Sequence, residues 1–227
     1  MNNVCLRQIA RNNNMEKTPK NVIKLSLSVL CIFAVIFSAP FFYDSSSFFS
    51  SAFWAVIPNI IYGCIALYAM LHLGIKPNLG KRVGVQLLFG AGLGLGLSLL
   101  IIFLPPLFGF SLAGSPMEYS PALLIFHFFF QIFIIGVIEE FVFRVFLQDG
   151  FVSLFPKNKW AGVLIPAFLF GVMHLSGGNL FRLLFTFGFG LILGFLRHKV
   201  KFCGFFALAL AHGIYDFALI LARMFLV

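Results

Sequence analysis

Three charged side chains lie close together within one long apolar stretch of this sequence. Glu139, Glu140 and Arg144 lie in the second half of the run 123–148, which is long enough to cross a bilayer as one helix. An ionisable side chain at that depth costs about 2.5–3.5 kcal/mol on insertion scales, and such residues usually mark a functional site. The spacing of these three residues therefore indicates proton-transfer chemistry inside a membrane.

Two later apolar segments supply imidazoles and a further carboxylate. His174 lies near the end of one segment, and His212 and Asp216 lie four positions apart in the last segment, so that these two share a helix face. Measured from the inside ends of their helices, Glu139, His174 and His212 reach similar depths of roughly 15–21 Å. We therefore expect polar groups from three helices to meet in one bundle.

A carboxylate, two imidazoles and a second carboxylate in a wet cavity suit the hydrolysis of a peptide bond. Glu139 could take a proton from water, one imidazole could orient that water, and the other could donate to the developing oxyanion. Alternatively, Glu139, His174 and His212 could hold Zn²⁺ with an open position. The spacing leaves both mechanisms open, although the sequence contains no H-E-x-x-H motif of the zinc proteases. Glu140 and Arg144, four apart, are interpreted as a supporting structural pair.

The composition identifies the class of protein that must position these residues. Of the 227 residues, 61% are hydrophobic and 10% are charged, which excludes an ordinary soluble domain. The net charge of +9 comes from basic residues in short polar segments between apolar runs. That distribution is typical of the positive-inside pattern of membrane proteins and argues against nucleic-acid binding.

The apolar runs predict an all-α, polytopic transmembrane helix bundle of about seven or eight helices, with a water-accessible intramembrane cavity. We divide the chain into a basic cytoplasmic tail (1–24), N-terminal transmembrane helices (25–119) and a catalytic helical core (120–227). The predicted helices cover residues 25–39, 53–73, 83–104, 123–148, 160–176, 181–196 and 202–227.

Two details of these runs bear on packing. Glycines 90, 92, 94 and 96 form two overlapping G-x-x-x-G pairs, which predict close helix packing in the third helix. The fifth and sixth runs are short, so the link 176–179 is expected partly at membrane depth. Irregular backbone at that depth is tolerated only inside protein or beside a water-filled cavity.

Three motifs, in order, resemble those of the CPBP family, which comprises the CAAX proteases and bacteriocin-processing intramembrane endopeptidases. Residues 139–144 read E-E-F-V-F-R and resemble E-E-x-x-x-R. Residues 170–174 read F-G-V-M-H and resemble F-x-x-x-H, and residues 212–216 read H-G-I-Y-D and resemble H-x-x-x-N/D. The resemblance covers about residues 120–220.

This resemblance implies a helical bundle whose site lies in a membrane cavity open toward the cytosol. It implies that Glu139 and His174 activate water, and that His212 and the following Asn or Asp stabilise the oxyanion. The third motif here ends in Asp216, and an ionised carboxylate would repel an oxyanion. Asp216 is therefore protonated, orients His212 through a hydrogen bond, or helps to hold a metal.

The resulting hypothesis is a multi-pass integral membrane endopeptidase, located in the plasma membrane if the source is bacterial. Its partners are the lipid bilayer and a peptide or protein substrate, and the resemblance implies a prenylated or bacteriocin-like substrate. One alternative is a non-enzymatic immunity or scaffold protein whose polar cluster holds helices together. A second alternative is a proton-coupled transporter, although the two halves of the chain show no matching repeats.

Overall fold

The computed structural model describes residues 15, 17–42, 48–103, 118–158, 160–177 and 180–225. Helices connected by short turns make up these residues, and no strand occurs among them. The first three helices and the last three are α1 (Pro19–Phe42), α2 (Phe48–His72), α3 (Val83–Phe103), α7 (Ala161–Met173), α8 (Leu180–Lys199) and α9 (Phe205–Phe225).

Between α3 and α7, one helical stretch runs from Pro121 to Leu154. It consists of α4 (Pro121–Phe129), a π-helical segment (Phe130–Ile135), α5 (Gly136–Glu140), a second π-helical segment (Phe141–Gln148) and α6 (Asp149–Leu154). The apolar run predicts a uniform helix here, whereas the structure interrupts it on both sides of Glu139 and Glu140. Single π-helical turns inside α-helices occur frequently at functional sites.

Six helices in the described part of the chain are long and apolar enough to cross a membrane, namely α1, α2, α3, the central stretch, α8 and α9. The prediction of an all-α, multi-pass integral membrane protein is therefore confirmed. Helix α7, with 13 residues, is shorter than the membrane requires. A 3₁₀ turn, His174–Gly177, follows it at once, so the predicted fifth helix ends earlier than residue 176.

The start of α1 illustrates how local chemistry sets a helix boundary. Thr18 accepts a hydrogen bond from the backbone N–H of Asn21 at 3.3 Å through its hydroxyl oxygen, and Pro19 occupies the first helical position. Both residues favour a helix start, so α1 begins before the predicted Leu25. Residues 1–14 and 16 of the predicted tail, the loops 43–47 and 104–117, and residues 178–179 of the fifth link lie outside the described residues.

The chain forms two compact units that are interleaved along the sequence. The first unit comprises Met1–Leu79 and Phe141–Lys201, and the second comprises Gly80–Glu140 and Phe202–Val227. The division into segments 1–24, 25–119 and 120–227 stays a prediction, since it concerns stretches of sequence.

In the first unit, α1 packs on α2, and α7 packs on α8. Helix α8 is also tied to the central stretch by polar contacts. The Gln148 amide donates to the Gly194 carbonyl at 3.0 Å, and Arg197 contacts the Asp149 carboxylate at 2.8 Å. A second hydrogen bond of 3.0 Å joins Arg197 to the backbone carbonyl of Asn78, in the connection after α2.

In the second unit, α9 packs along α3 and against α5 and the π-helical segment before it. A Cβ on Gly94 would lie 2.9 Å from the Ala211 carbonyl oxygen, and one on Gly90 would meet the backbone of Ala207 in the same way. This first G-x-x-x-G pair therefore mediates close packing, as predicted. Gly92 and Gly96 face open space, so the prediction is wrong for the second pair.

Candidate functional site

The second unit brings four of the predicted site residues around one imidazole ring. His212 on α9 is buried, as are Glu139 and Glu140 on α5. The Nδ1 atom of His212 lies 2.9 Å from Glu140 Oε1. On the other side of the ring, Nε2 lies 3.5 Å from Asp216 Oδ2 and 3.8 Å from Glu139 Oε2.

Hydrogen-bond chemistry fixes the direction of the closest contact. An ionised carboxylate only accepts, so Nδ1–H of His212 donates to Glu140. The partner of one ring nitrogen determines the state of the other. Glu140 therefore orients the ring and directs Nε2 toward Glu139 and Asp216. A pairing of Glu140 with His212 does not follow from the motif spacing, which shows only the i, i+4 relation of Glu140 to Arg144.

Two glycines allow α5 and α9 to come close enough for this contact. A Cβ on Gly136 would meet the Ala209 carbonyl oxygen and would lie 2.9 Å from the Gly213 nitrogen. A Cβ on Gly213 would lie 2.6 Å from the Cα of Ile132. Real side chains do not tolerate such distances to backbone, so glycine is required at both crossing positions. The sequence contained a signal for this close approach, namely a glycine beside each motif. Gly136 precedes Glu139 by less than one helical turn, and Gly213 follows His212.

The first unit contains the remaining two motif residues, Arg144 and His174, with Phe170 between them. The Arg144 guanidinium carbon lies 5.5 Å from the centroid of the Phe170 ring, which is within cation–π range. The rings of Phe170 and His174 have centroids 4.8 Å apart. The second motif thus packs its own phenylalanine against its histidine and against the arginine of the first motif.

A backbone contact defines the tautomer of His174. Its Nδ1 lies 2.9 Å from the carbonyl oxygen of Phe170. A carbonyl only accepts, so Nδ1 carries a proton, and Nε2 bears the lone pair of the neutral ring. This is the form that can accept a proton or orient a water molecule.

The structure describes all of the predicted site residues and assigns each one to a unit. Glu139, Glu140, His212 and Asp216 belong to the second unit, whereas Arg144 and His174 belong to the first. Within the second unit, three carboxyl groups surround one imidazole. Carboxyl groups that surround an imidazole can pass protons to and from the ring, which is the property that general acid–base chemistry needs. The pairing of Glu140 with Arg144 stays a prediction.

The alternative metal hypothesis receives no support from the arrangement of side chains. In the part of the chain that the structure describes, no group of three or more His, Cys, Asp or Glu residues is arranged to hold a metal ion. The Nδ1 atom of His212 is already engaged with Glu140. The Zn²⁺ set of Glu139, His174 and His212 stays a prediction, and no step below is routed through a metal.

Helices of membrane-crossing length and a buried carboxylate–imidazole cluster define a polytopic membrane protein with ionisable side chains inside one of its units. A comparison with known families makes this more specific. The family model of the Rce1-like type II CAAX prenyl endopeptidases matches residues 121–218. The matched segment contains all three motifs and confirms the resemblance to the CAAX protease family. No curated protein gives a significant match to the chain. The family match implies a peptidase of the membrane.

Proposed function

We propose that this protein is an intramembrane endopeptidase in which Glu139 activates water to hydrolyse a peptide bond of a membrane-associated substrate. One observation carries the proposal, namely the buried His212 ring that donates to Glu140 through Nδ1 and faces Glu139 and Asp216 with Nε2. Buried ionisable groups at membrane depth are costly, and such groups usually serve function.

In the first step, the Glu139 carboxylate takes a proton from water, and the water oxygen attacks the carbonyl carbon of the scissile bond. His174 orients this water through Nε2, a role that the family resemblance implies and that its hydrogen bond to Phe170 supports. The carbonyl π bond breaks, and its electron pair moves to the oxygen to form a tetrahedral oxyanion.

In the second step, His212 donates from Nε2–H to the oxyanion, while Glu140 accepts from Nδ1–H and balances the positive charge of the ring. The tetrahedral intermediate then collapses. Its carbonyl re-forms, the C–N bond breaks, and the proton held by Glu139 passes to the departing amine. Water is thereby divided between the two product ends, and Glu139 is ionised again.

Asp216 stands where the family motif also accepts asparagine. Its carboxylate lies on the Nε2 side of His212 rather than on the Nδ1 side. Of the three roles that the sequence leaves open, the proposal assigns it that of an acceptor that holds the Nε2 proton between turnovers. The oxyanion would take over this proton when substrate binds.

The family match and the membrane-crossing helices support one class of substrate. The matching family is described as prenyl endopeptidases. We accordingly propose a peptide anchored in the bilayer, either prenylated or bacteriocin-like. Its lipid or apolar part would remain in the membrane while the scissile bond reaches Glu139.

The test uses the full chain reconstituted in proteoliposomes, with a quenched fluorescent peptide carrying a farnesylated cysteine and an unprenylated peptide of the same sequence. Glu139→Gln should reduce the cleavage rate about 10²–10⁴-fold because it removes the general base and preserves the side-chain shape. The matched control is Glu118→Gln, which changes an exposed acid outside the cluster and should leave the rate unchanged.

Cleavage by Glu139→Gln at the wild-type rate would contradict the proposed mechanism. Equal cleavage of both peptides by the unmodified protein would contradict the prenylated substrate class while leaving the peptidase proposal intact. Elution of each variant as a single detergent-solubilised species serves as the folding check.

A further inference from the structure

The short connection between α6 and α7 belongs to the first unit, and lysines from three chain segments lie on it or beside it. Lys17 Nζ lies 5.2 Å from the centroid of the Phe155 ring, and Lys199 Nζ lies 5.9 Å from the centroid of the Trp160 ring. Lys157 belongs to the connection itself. All three lysines are exposed, and we refer to Lys17, Lys157 and Lys199 as the lysine cluster.

The two aromatic rings place the lysine cluster at the boundary between lipid and water. Trp160 is 49% exposed and stacks on Phe195, with ring centroids 6.1 Å apart and an interplanar angle of 16°. Tryptophan is enriched where transmembrane helices meet the headgroup layer. A cation–π contact holds an ammonium group over a ring without neutralising its charge. Lys199 is therefore held at headgroup depth with its donors available.

The described residues of the first unit contain few acids that could neutralise this cluster. Among the described residues of the first unit, Asp149 is the only acid. It is fully buried and forms an ion pair with Arg197 at 2.8 Å. Its negative charge is consequently matched by a buried guanidinium rather than by the exposed lysines.

We propose that the lysine cluster binds the phosphate of an anionic lipid headgroup, such as that of phosphatidylglycerol. A phosphate diester at headgroup depth can accept hydrogen bonds from more than one ammonium group, and each lysine near a charged membrane surface contributes about fivefold in affinity. The lipid's acyl chains would then lie along the apolar surface below Trp160. This surface is an interaction site that the peptidase proposal neither requires nor explains.

The experiment measures the lipid that neighbours Trp160. The full chain carries two tryptophans, so a Trp54→Phe variant leaves Trp160 as the single reporter. The protein is reconstituted in vesicles that contain brominated phosphatidylglycerol or brominated phosphatidylcholine, and quenching of Trp160 fluorescence is compared. We expect at least about tenfold preference for the anionic lipid at roughly 0.1 M salt, falling at higher salt because the attraction is electrostatic.

Two triple variants separate a local site from general surface charge. Changing Lys17, Lys157 and Lys199 to Gln should abolish the preference. Changing Lys76, Lys81 and Lys201 to Gln removes the same net charge elsewhere and should preserve it. An equal loss in both variants, or no preference in the parent protein, would overturn the proposal.

A comparison of two variants at Lys199 distinguishes loss of lipid binding from a folding defect. Lys199→Arg keeps both the charge and the cation–π contact, so it should retain the lipid preference, whereas Lys199→Gln should lower it about fivefold. Loss of preference in Lys199→Arg as well would contradict the assigned role of Lys199. Peptide cleavage is not expected to depend on the cluster, so failure here would leave the peptidase proposal untouched.

Discussion

Two buried carboxylates in this protein have similar burial and different surroundings. Asp149 in the first unit and Glu140 in the second are both fully buried, and each contacts a basic side chain of another helix. Asp149 meets Arg197, whose guanidinium also donates to a backbone carbonyl. Glu140 instead shares the single ring of His212 with two further acids.

The difference between these two sites lies in how their charges balance. Arginine is always protonated, so Arg197 holds a permanent positive charge beside the Asp149 carboxylate. Histidine, by contrast, can gain or lose a proton, and three carboxyl groups lie around the His212 ring. The Asp149–Arg197 pair is therefore suited to holding helices, and the Glu140–His212 cluster to exchanging protons. Buried polarity by itself does not identify a catalytic site, whereas several carboxyl groups around one imidazole mark a candidate for acid–base chemistry.

The largest expected effect concerns stability. Arg197→Met leaves the Asp149 carboxylate buried without its cation, which should destabilise the fold by about 3–5 kcal/mol. Cleavage per folded molecule should stay unchanged. The measurement is the fraction of monodisperse protein remaining after heating in detergent, together with the cleavage rate of the folded fraction.

A double variant sharpens this prediction. Replacing a buried ion pair by apolar residues of similar size is often neutral, since both desolvated charges disappear. Asp149→Leu combined with Arg197→Met should therefore be more stable than Arg197→Met alone. If the double variant is the less stable of the two, or if Arg197→Met is stable and inactive, the pair is not simply structural and the comparison fails.

The next largest effect is expected on the cleavage activity when Glu140, the other buried carboxylate, is changed. Glu140→Gln keeps the size of the side chain and removes the negative charge that accepts from His212 Nδ1–H. We expect a decrease in kcat of about 10–100-fold, the range found when an orienting partner of a functional histidine is lost. KM for the peptide should change little because Glu140 does not contact substrate in the proposed mechanism.

An effect of Glu140→Gln on stability rather than on kcat would indicate a structural role for Glu140. Destabilisation by Glu140→Gln as large as that of Arg197→Met, with normal kcat, would assign Glu140 to structure. The predicted pairing with Arg144 would then be its main role, and Arg144→Ala should lower the yield of folded protein to a similar degree. A matched pair of measurements on Glu140→Gln and Arg144→Ala therefore decides between orientation of His212 and helix stabilisation.

Local sequence patterns were sufficient to predict the helices and the motif residues. Apolar runs of membrane length define α2 and α3 to within a few residues, because hydrophobic length is a property of the segment itself. The family resemblance likewise follows from the three motifs, and the match over residues 121–218 confirms it. The π-helical segments beside Glu139 are different, since apolar periodicity does not distinguish one kind of helical turn from another.

Contacts between distant residues could not be predicted in the same way. Glu140 and His212 are 72 positions apart, and Asp149 and Arg197 are 48 apart. Which helix faces meet depends on where small residues allow backbones to approach, as at Gly136. The sequence offered several glycines without showing which of them cross, and for this reason one G-x-x-x-G pair in α3 packs while the other does not.

The smallest effect is expected at Asp216, and it tests the role of the third acid in the cluster. The Oδ2 atom of Asp216 lies 3.5 Å from His212 Nε2. In Asp216→Asn the side-chain carbonyl can still accept from Nε2–H, while the amide can donate to an oxyanion. The new donor to the oxyanion offsets the lost negative charge, so the cleavage rate should stay within about tenfold of the unmodified protein, equivalent to roughly 1.4 kcal/mol in barrier height.

The rate is measured with the farnesylated peptide, and Asp216→Leu serves as the contrast, since leucine can neither accept nor donate. If Asp216→Asn and Asp216→Leu lose activity equally and by much more than tenfold, the negative charge at this position is itself required. Asp216 would then belong with Glu139 among the groups that carry the reacting proton, and the cluster around His212 would contain two working acids rather than one.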